Sequence, residues 1–95
     1  MRVIWASEAR QDLREIYLYL AADNPQAART LQARIKEAVA LLRGNPLLGR
    51  PGRVADTREL VIQGAPYIVP YQIRENRLEL LRVYHTARRW PERFH

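Results

Sequence analysis

Apolar residues recur at two different intervals along this 95-residue chain, and the change of interval divides it into a helical first half and an extended second half. Arg2 to Ala6 reads as a short strand that ends at Ser7, which is placed to N-cap a helix with Glu8 in its first turn. From there Ala9, Leu13, Ile16, Tyr17 and Leu20 return every three or four positions, while Glu8, Gln11, Asp12 and Glu15 mark a solvated side. The spacing predicts an amphipathic helix to about Ala22. Asp23-Asn24-Pro25 is a start signal, with Asn24 as cap and Pro25 at the first helical position. A second helix follows, with Ala28, Leu31, Ile35, Ala38, Val39 and Leu42 as its buried stripe, and Gly44 and Pro46 end it. So short a connection makes the two helices an antiparallel hairpin.

Gly44 to Thr57 is rich in Gly and Pro and has no period, which predicts a loop carrying Arg50 and Arg53. Three β-like runs come next: Arg58 to Ile62, Tyr67 to Ile73 and Leu78 to Tyr84. They predict a meander of three antiparallel strands. Pro70 stands inside the middle run and lacks a ladder donor, so it should mark an edge or a bulge. The expected order is β-α-α-β-β-β, a single α+β domain over residues 1–95 in which the helical hairpin covers one face of an antiparallel sheet.

Composition narrows the chemistry. The chain has no Cys, which excludes a disulfide framework, a thiolate metal site and a cysteine nucleophile and fits a reducing cytoplasm. No run near Val3-Ile4-Trp5-Ala6 is long and apolar enough for a signal peptide or a membrane span, so a cytoplasmic location with no membrane partner is expected. The net charge of +6 is uneven: residues 1–42 hold six basic and five acidic groups, residues 43–95 ten Arg and five acids. The positive field belongs to the second half, where it would attract nucleic acid or an acidic protein segment.

Several reaction classes then drop out. Gly49-Arg50-Pro51-Gly52-Arg53 lacks the spacing and the Lys-Ser/Thr pair of a P-loop. Ser7, the only serine, has a sufficient role as a cap. With His85 and His95 as the only histidines, neither a metal centre nor a cofactor is expected. What remains is chemistry in which the substrate brings its own nucleophile, as RNA does through its 2′-hydroxyl, with His85 moving the proton and Arg58, Arg82, Arg88 and Arg89 around the phosphate. Strand alternation limits that set, because Arg82 and Tyr84 point to one face while Val83 and His85 point to the other. A histidine at a strand end also serves as a hydrogen-bonded structural residue. Trp90 and Tyr67 either stack on bases or pack, Trp90-Pro91 by folding the tail back onto the sheet. Glu59 and Glu79 are general bases or cross-strand partners of Arg.

Trp5, Ala9-x3-Leu13-x2-Ile16-Tyr17-x2-Leu20, Asn24-Pro25-x-Ala27-Ala28, Asn45-Pro46-x2-Gly49-Arg50-Pro51-Gly52-Arg53, Thr57-Arg58-Glu59-Leu60, Pro66-Tyr67-Ile68-Val69-x-Tyr71 and Leu81-Arg82-Val83-x-His85-x2-Arg88-x-Trp90-Pro91 together resemble the RelE/ParE toxin superfamily of bacterial toxin-antitoxin modules, closer to its ParE branch. The resemblance implies a small toxin neutralised by a cognate acidic antitoxin, ParD-like or similar, whose apolar segment wraps the hairpin, here at Leu13, Tyr17, Leu31 and Ile35. Operator DNA would be met indirectly, through the antitoxin. It further implies inhibition of DNA gyrase, with Arg53, Arg88, Arg89 and Trp90 on the target. The alternative is a RelE-like, ribosome-dependent mRNA endoribonuclease using His85, Arg58 and Arg82. The nuclease branch typically places an Arg just before the aliphatic-x-Tyr core of the middle strand, where this chain has Tyr67.

Overall fold

The computed structural model describes residues 1–94. Strand β1 (Arg2–Trp5) leads into helices α1 (Ser7–Asp23) and α2 (Pro25–Gly44). Ser7 is already the first helical residue, and Ala6 holds the cap position with φ −61° and ψ 152°. The turn comes one residue early because the Ala6 N–H is still tied to the sheet, donating to Leu80 O at 2.9 Å. The Ser7 hydroxyl is left to Glu8, at 3.1 Å. Asn24 behaves as its sequence context predicts. Its Oδ1 accepts the Ala27 N–H at 3.1 Å, its own N–H closes α1 on Leu20 O, and Pro25 follows at the first helical position.

Five more strands follow: β2 (Arg50–Pro51), β3 (Arg58–Val61), β4 (Tyr67–Arg74), β5 (Arg77–Leu80) and β6 (Tyr84–His85). The sheet order is β1-β5-β4-β3-β2, with β6 also beside β4. Every pairing is antiparallel except β1 with β5, so the sheet is mixed rather than wholly antiparallel. A parallel neighbour needs a long connection, and here the helical hairpin and three strands lie between the two. β4 and β5 are joined through Glu75 (φ 51°) and Asn76 (φ 63°), the left-handed pair of a tight hairpin turn.

The third extended run of the sequence is divided in two, and Pro70 accounts for the division. Leu80 pairs with Tyr71 and Tyr84 with Ile68, so the β5–β6 side carries one residue more than β4 does: a bulge at Leu81–Val83. The Pro70 carbonyl accepts the Leu81 N–H at 2.9 Å, so its nitrogen, which carries no hydrogen, faces the same side. The ladder therefore breaks where β4 has no donor to give. Pro70 sits in a central strand beside a bulge, one of the two settings expected of it.

The hairpin covers one sheet face. Leu31, Ile35 and Leu42 of α2 meet Leu60, Ile62, Val69, Tyr71, Leu78, Leu80 and Val83, with Leu13, Ile16 and Leu20 of α1 packed against them. Tyr71 is fully buried, and its hydroxyl donates to Pro46 O at 2.7 Å and accepts the Gly49 N–H at 2.9 Å, fastening the loop after α2 to the core. That approach leaves no space at Gly49, where a Cβ would lie 2.5 Å from the Tyr71 ring and 2.7 Å from Glu59 O. Gly44 has nothing within 4 Å. Gly49→Ala should therefore destabilise the domain by about 1–3 kcal/mol, whereas Gly44→Ala, which adds a better helix former in open space, should stabilise it by up to about 1 kcal/mol. Urea denaturation of the two variants checks the opposite signs.

Candidate functional site

The β6 strand and the tail after it send their functional groups to different places. His85 lies opposite Tyr67 in register, with the two rings edge-to-face at 5.4 Å. Its Nδ1 accepts the Ala87 N–H at 3.0 Å, which assigns the proton of the neutral ring to Nε2. The imidazole borders a groove of about 600 Å³ between the turn joining the helices and the turn joining β3 to β4, alongside Tyr19, Arg34, Pro66 and Tyr67. Burial, and then the neighbouring Tyr19, push the Tyr67 phenol above its ordinary range.

Arg82 leaves the bulge in another direction, toward α1. Its Nε and Nη2 donate to the two oxygens of Asp12 at 2.8 and 2.9 Å, and Asp12 also accepts the Val83 N–H at 2.9 Å. The hydrogen bond to Asp12 is the main reason that the guanidinium is held even more firmly charged than usual. Arg58 donates to the carbonyls of Gly49 at 2.9 Å and Leu47 at 3.1 Å. It is paired with Tyr71, four positions along β4 from the Tyr67–His85 pair, which is about 13 Å of strand. The three candidate nuclease residues are therefore not gathered around one point.

The candidate target residues are gathered. Tyr84, 1% exposed, forms the floor on the sheet face opposite the helices. Trp90 stands edge-on to it at 5.2 Å, Phe94 lies at 6.1 Å, and the Arg88 guanidinium sits 4.2 Å above the tyrosine ring. The tail folds back onto the sheet through these rings, the packing role expected of Trp90-Pro91. Arg53 arrives from the loop before β3, its guanidinium 3.8 Å over Trp90. Arg89 and Arg93 are exposed on the groove that the tail forms with Arg82 and Glu8. Arg93 and the floor residue Tyr84 were not among the expected site residues. The signals available were an Arg three positions after Trp90 and a Tyr sharing a strand face with Arg82.

Glu59 organises the loop side of this cluster. It is 2% exposed, and it accepts from Arg50, its cross-strand partner, and from both the side chain and the backbone N–H of Arg53. It acts as an ion-pair partner, as does Glu79, which accepts from Gln72 and lies 3.3 Å from Arg77. Burial taken alone pushes the Glu59 carboxyl up, but the Arg53 and Arg50 donors outweigh it and hold the group below its ordinary value of 4.5.

The residues expected to meet an antitoxin divide. Leu31 and Ile35 are 6% and 2% exposed and belong to the core, because the face of α2 that carries them is the one laid on the sheet. Ile35 offers no surface to a partner, and Leu31 only the edge it lends to the groove beside Tyr19 and Ala27. Leu13 and Tyr17 are half-buried and line a shallow groove with Trp5 and Gln32. The large apolar groups that the hairpin leaves exposed are Leu18, Tyr19 and Leu41. Among the described residues no group of three His, Asp or Glu is placed to hold a metal ion, and no helix is long and apolar enough to cross a membrane.

Because the folded state depresses the Glu59 pKa, the stabilisation it gives is fully present above its ordinary value and is lost as pH falls through the lowered one. Glu59→Gln should therefore melt below the native chain at neutral pH, and the gap should close on acidification. A melting-point gap that stays constant from pH 7 into the acid range would contradict this account of Glu59.

Comparison with known proteins agrees with this geometry. Residues 3–90 match the family described as the ParE toxin of type II toxin-antitoxin system, parDE. The chain is 44% identical over 91 residues to the putative toxin Y4kP of Sinorhizobium fredii, covering 96% of this chain and 94% of the relative. It is 33% identical over 87 residues to toxin RelE2 of Caulobacter vibrioides, covering 92% and 97%. Among solved structures it is similar to a chain from the chromosomal ParDE toxin-antitoxin system of P. aeruginosa, with a TM-score of 0.80, 27% identity, and coverage of 90% of this chain and 95% of that one. With the family matched from the first strand to the tail tryptophan, the chain belongs to the ParE toxins of type II toxin-antitoxin systems.

Proposed function

We propose that this toxin acts as a non-enzymatic inhibitor of DNA gyrase, meeting its target through the Arg53, Arg88, Arg89 and Trp90 surface. One observation carries the reading: the groups that a nuclease would need free around a phosphate are separated and engaged in holding the fold. Arg82 is bound to Asp12, Arg58 to two backbone carbonyls, and His85 meets Tyr67 edge-on in a groove that neither of those two cations borders. The tail cations behave oppositely. Arg88, Arg89 and Arg93 have no carboxylate partner among the described residues and are exposed, so they remain available to another molecule.

A type II toxin implies an antitoxin, and the hairpin offers it a surface. Leu13 and Tyr17 beside Trp5, together with the exposed Leu18, Tyr19 and Leu41, would accept the apolar side of an added segment, while the basic field favours an acidic one. On this reading operator DNA is reached through the antitoxin.

Purified toxin added to gyrase and relaxed plasmid should block supercoiling or accumulate cleaved DNA, and His85→Ala should arrest growth as the native chain does. Normal gyrase activity at saturating toxin would overturn the reading. So would codon-phased cuts in translated messages that disappear in His85→Ala, which is the behaviour of the ribonuclease alternative.

A further inference from the structure

The groove between the tail and the first turn of α1 has a composition that the packing of the tail does not require. It encloses about 540 Å³ and is bordered by four guanidiniums, those of Arg82, Arg88, Arg89 and Arg93, against a single carboxylate, Glu8. Asp12 engages Arg82, while Arg88, Arg89 and Arg93 have no carboxylate partner among the described residues. The Trp90 indole N–H is also buried there without an acceptor among the described residues, which native folds rarely leave uncompensated. The place is thus rich in donors and short of acceptors.

We propose that this groove binds the phosphodiester backbone of a nucleic-acid strand. Guanidiniums match phosphate and carboxylate oxygens alike, so the choice rests on what else the groove offers. A docked acidic peptide draws its affinity from apolar anchors set in pockets. Here no such pocket is formed: Tyr84 is buried beneath Arg82 and Arg88, Trp90 stands edge-on to it, and Phe94 packs against both rings, so the apolar lining is a shallow rim rather than a socket. The Tyr84 face is likewise taken from any stacking base by the two guanidiniums over it. What is left is a row of charge along an irregular segment at positions 88, 89 and 93, suited to a ligand with one charge per nucleotide and no required sequence. The groove assignment stands on this geometry alone. That the strand met is the DNA engaged by gyrase rests on the proposed function.

Fluorescence anisotropy of the full chain with a labelled single-stranded DNA, an RNA of the same sequence and an acidic poly-glutamate peptide tests the assignment. Both nucleic acids should bind alike, with the logarithm of the affinity falling with the logarithm of salt at a slope of about −2 for three phosphates neutralised. Arg89→Gln/Arg93→Gln should bring the slope to about −0.7 while leaving the thermal transition in place, since neither side chain has an ion-pair partner among the described residues. Absence of binding at low salt, an unchanged slope in the double variant, selective binding of RNA, or tighter binding of poly-glutamate would overturn it. A gyrase supercoiling assay run in parallel separates the two claims. DNA binding without gyrase inhibition would sink the gyrase reading and leave the groove standing, and inhibition without DNA binding would do the reverse.

Discussion

Asp12 holds together the two parts of the molecule that the sheet alone cannot join. Pro70 has no N–H for the strand beside it, so the chain leaves the ladder after Leu80 and rejoins it at Tyr84. That detour frees the Val83 N–H and projects Arg82 toward the helices. Asp12, on the solvated side of α1 by its spacing, takes both, its one carboxylate accepting three hydrogen bonds. A buried donor left unpaired costs about 1–3 kcal/mol, so the bulge is tolerable because α1 supplies an acceptor there. The geometry of the tail, and with it the cationic groove, follows from where that bulge releases the chain.

The same interaction separates structural from available charge. Arginine in this protein is not one population. Arg58 and Arg82 are bound inside the fold, Arg50 and Arg53 are gathered by a carboxylate that is itself almost inaccessible, and Arg88, Arg89 and Arg93 lie outward on the tail. Glu59 is central to this division, since it holds the Arg53 guanidinium while that group lies over Trp90 and so connects the loop before β3 to the tail. An Arg-rich second half thus becomes a surface with a defined floor rather than a diffuse positive field.

Much of this was legible in the chain. The two amphipathic periods, the Asn24-Pro25 punctuation and the three extended runs gave the hairpin and the antiparallel strands, because each depends on local spacing and capping. The parallel placement of β1 was not legible, since no local signal records which edge a terminal strand joins. Pro70 announced a bulge, but the position of the break depended on the register against Leu80 and Tyr84. Ser7 does not cap, because Ala6, whose N–H bonds to Leu80 far away in sequence, holds the cap position instead. At the site, Arg53, Arg88, Arg89 and Trp90 were visible as residue types. The meeting of Arg88 and Trp90 on Tyr84, and of Arg53 on Trp90, was not, because it joins two segments with most of the strands between them in sequence. Leu31 and Ile35 illustrate the converse. An apolar stripe looks the same whether it faces the domain's own sheet or a partner, and only the packing distinguishes the two.

Arg82 serves the fold, through Asp12, rather than a reacting phosphate. A double-mutant cycle with Asp12→Ala, Arg82→Ala and the pair, followed by urea denaturation, measures that link directly. The two positions should couple by about 1.5–3 kcal/mol, the range for hydrogen bonds to charged groups. Additive single effects, with no coupling between the two positions, would contradict it.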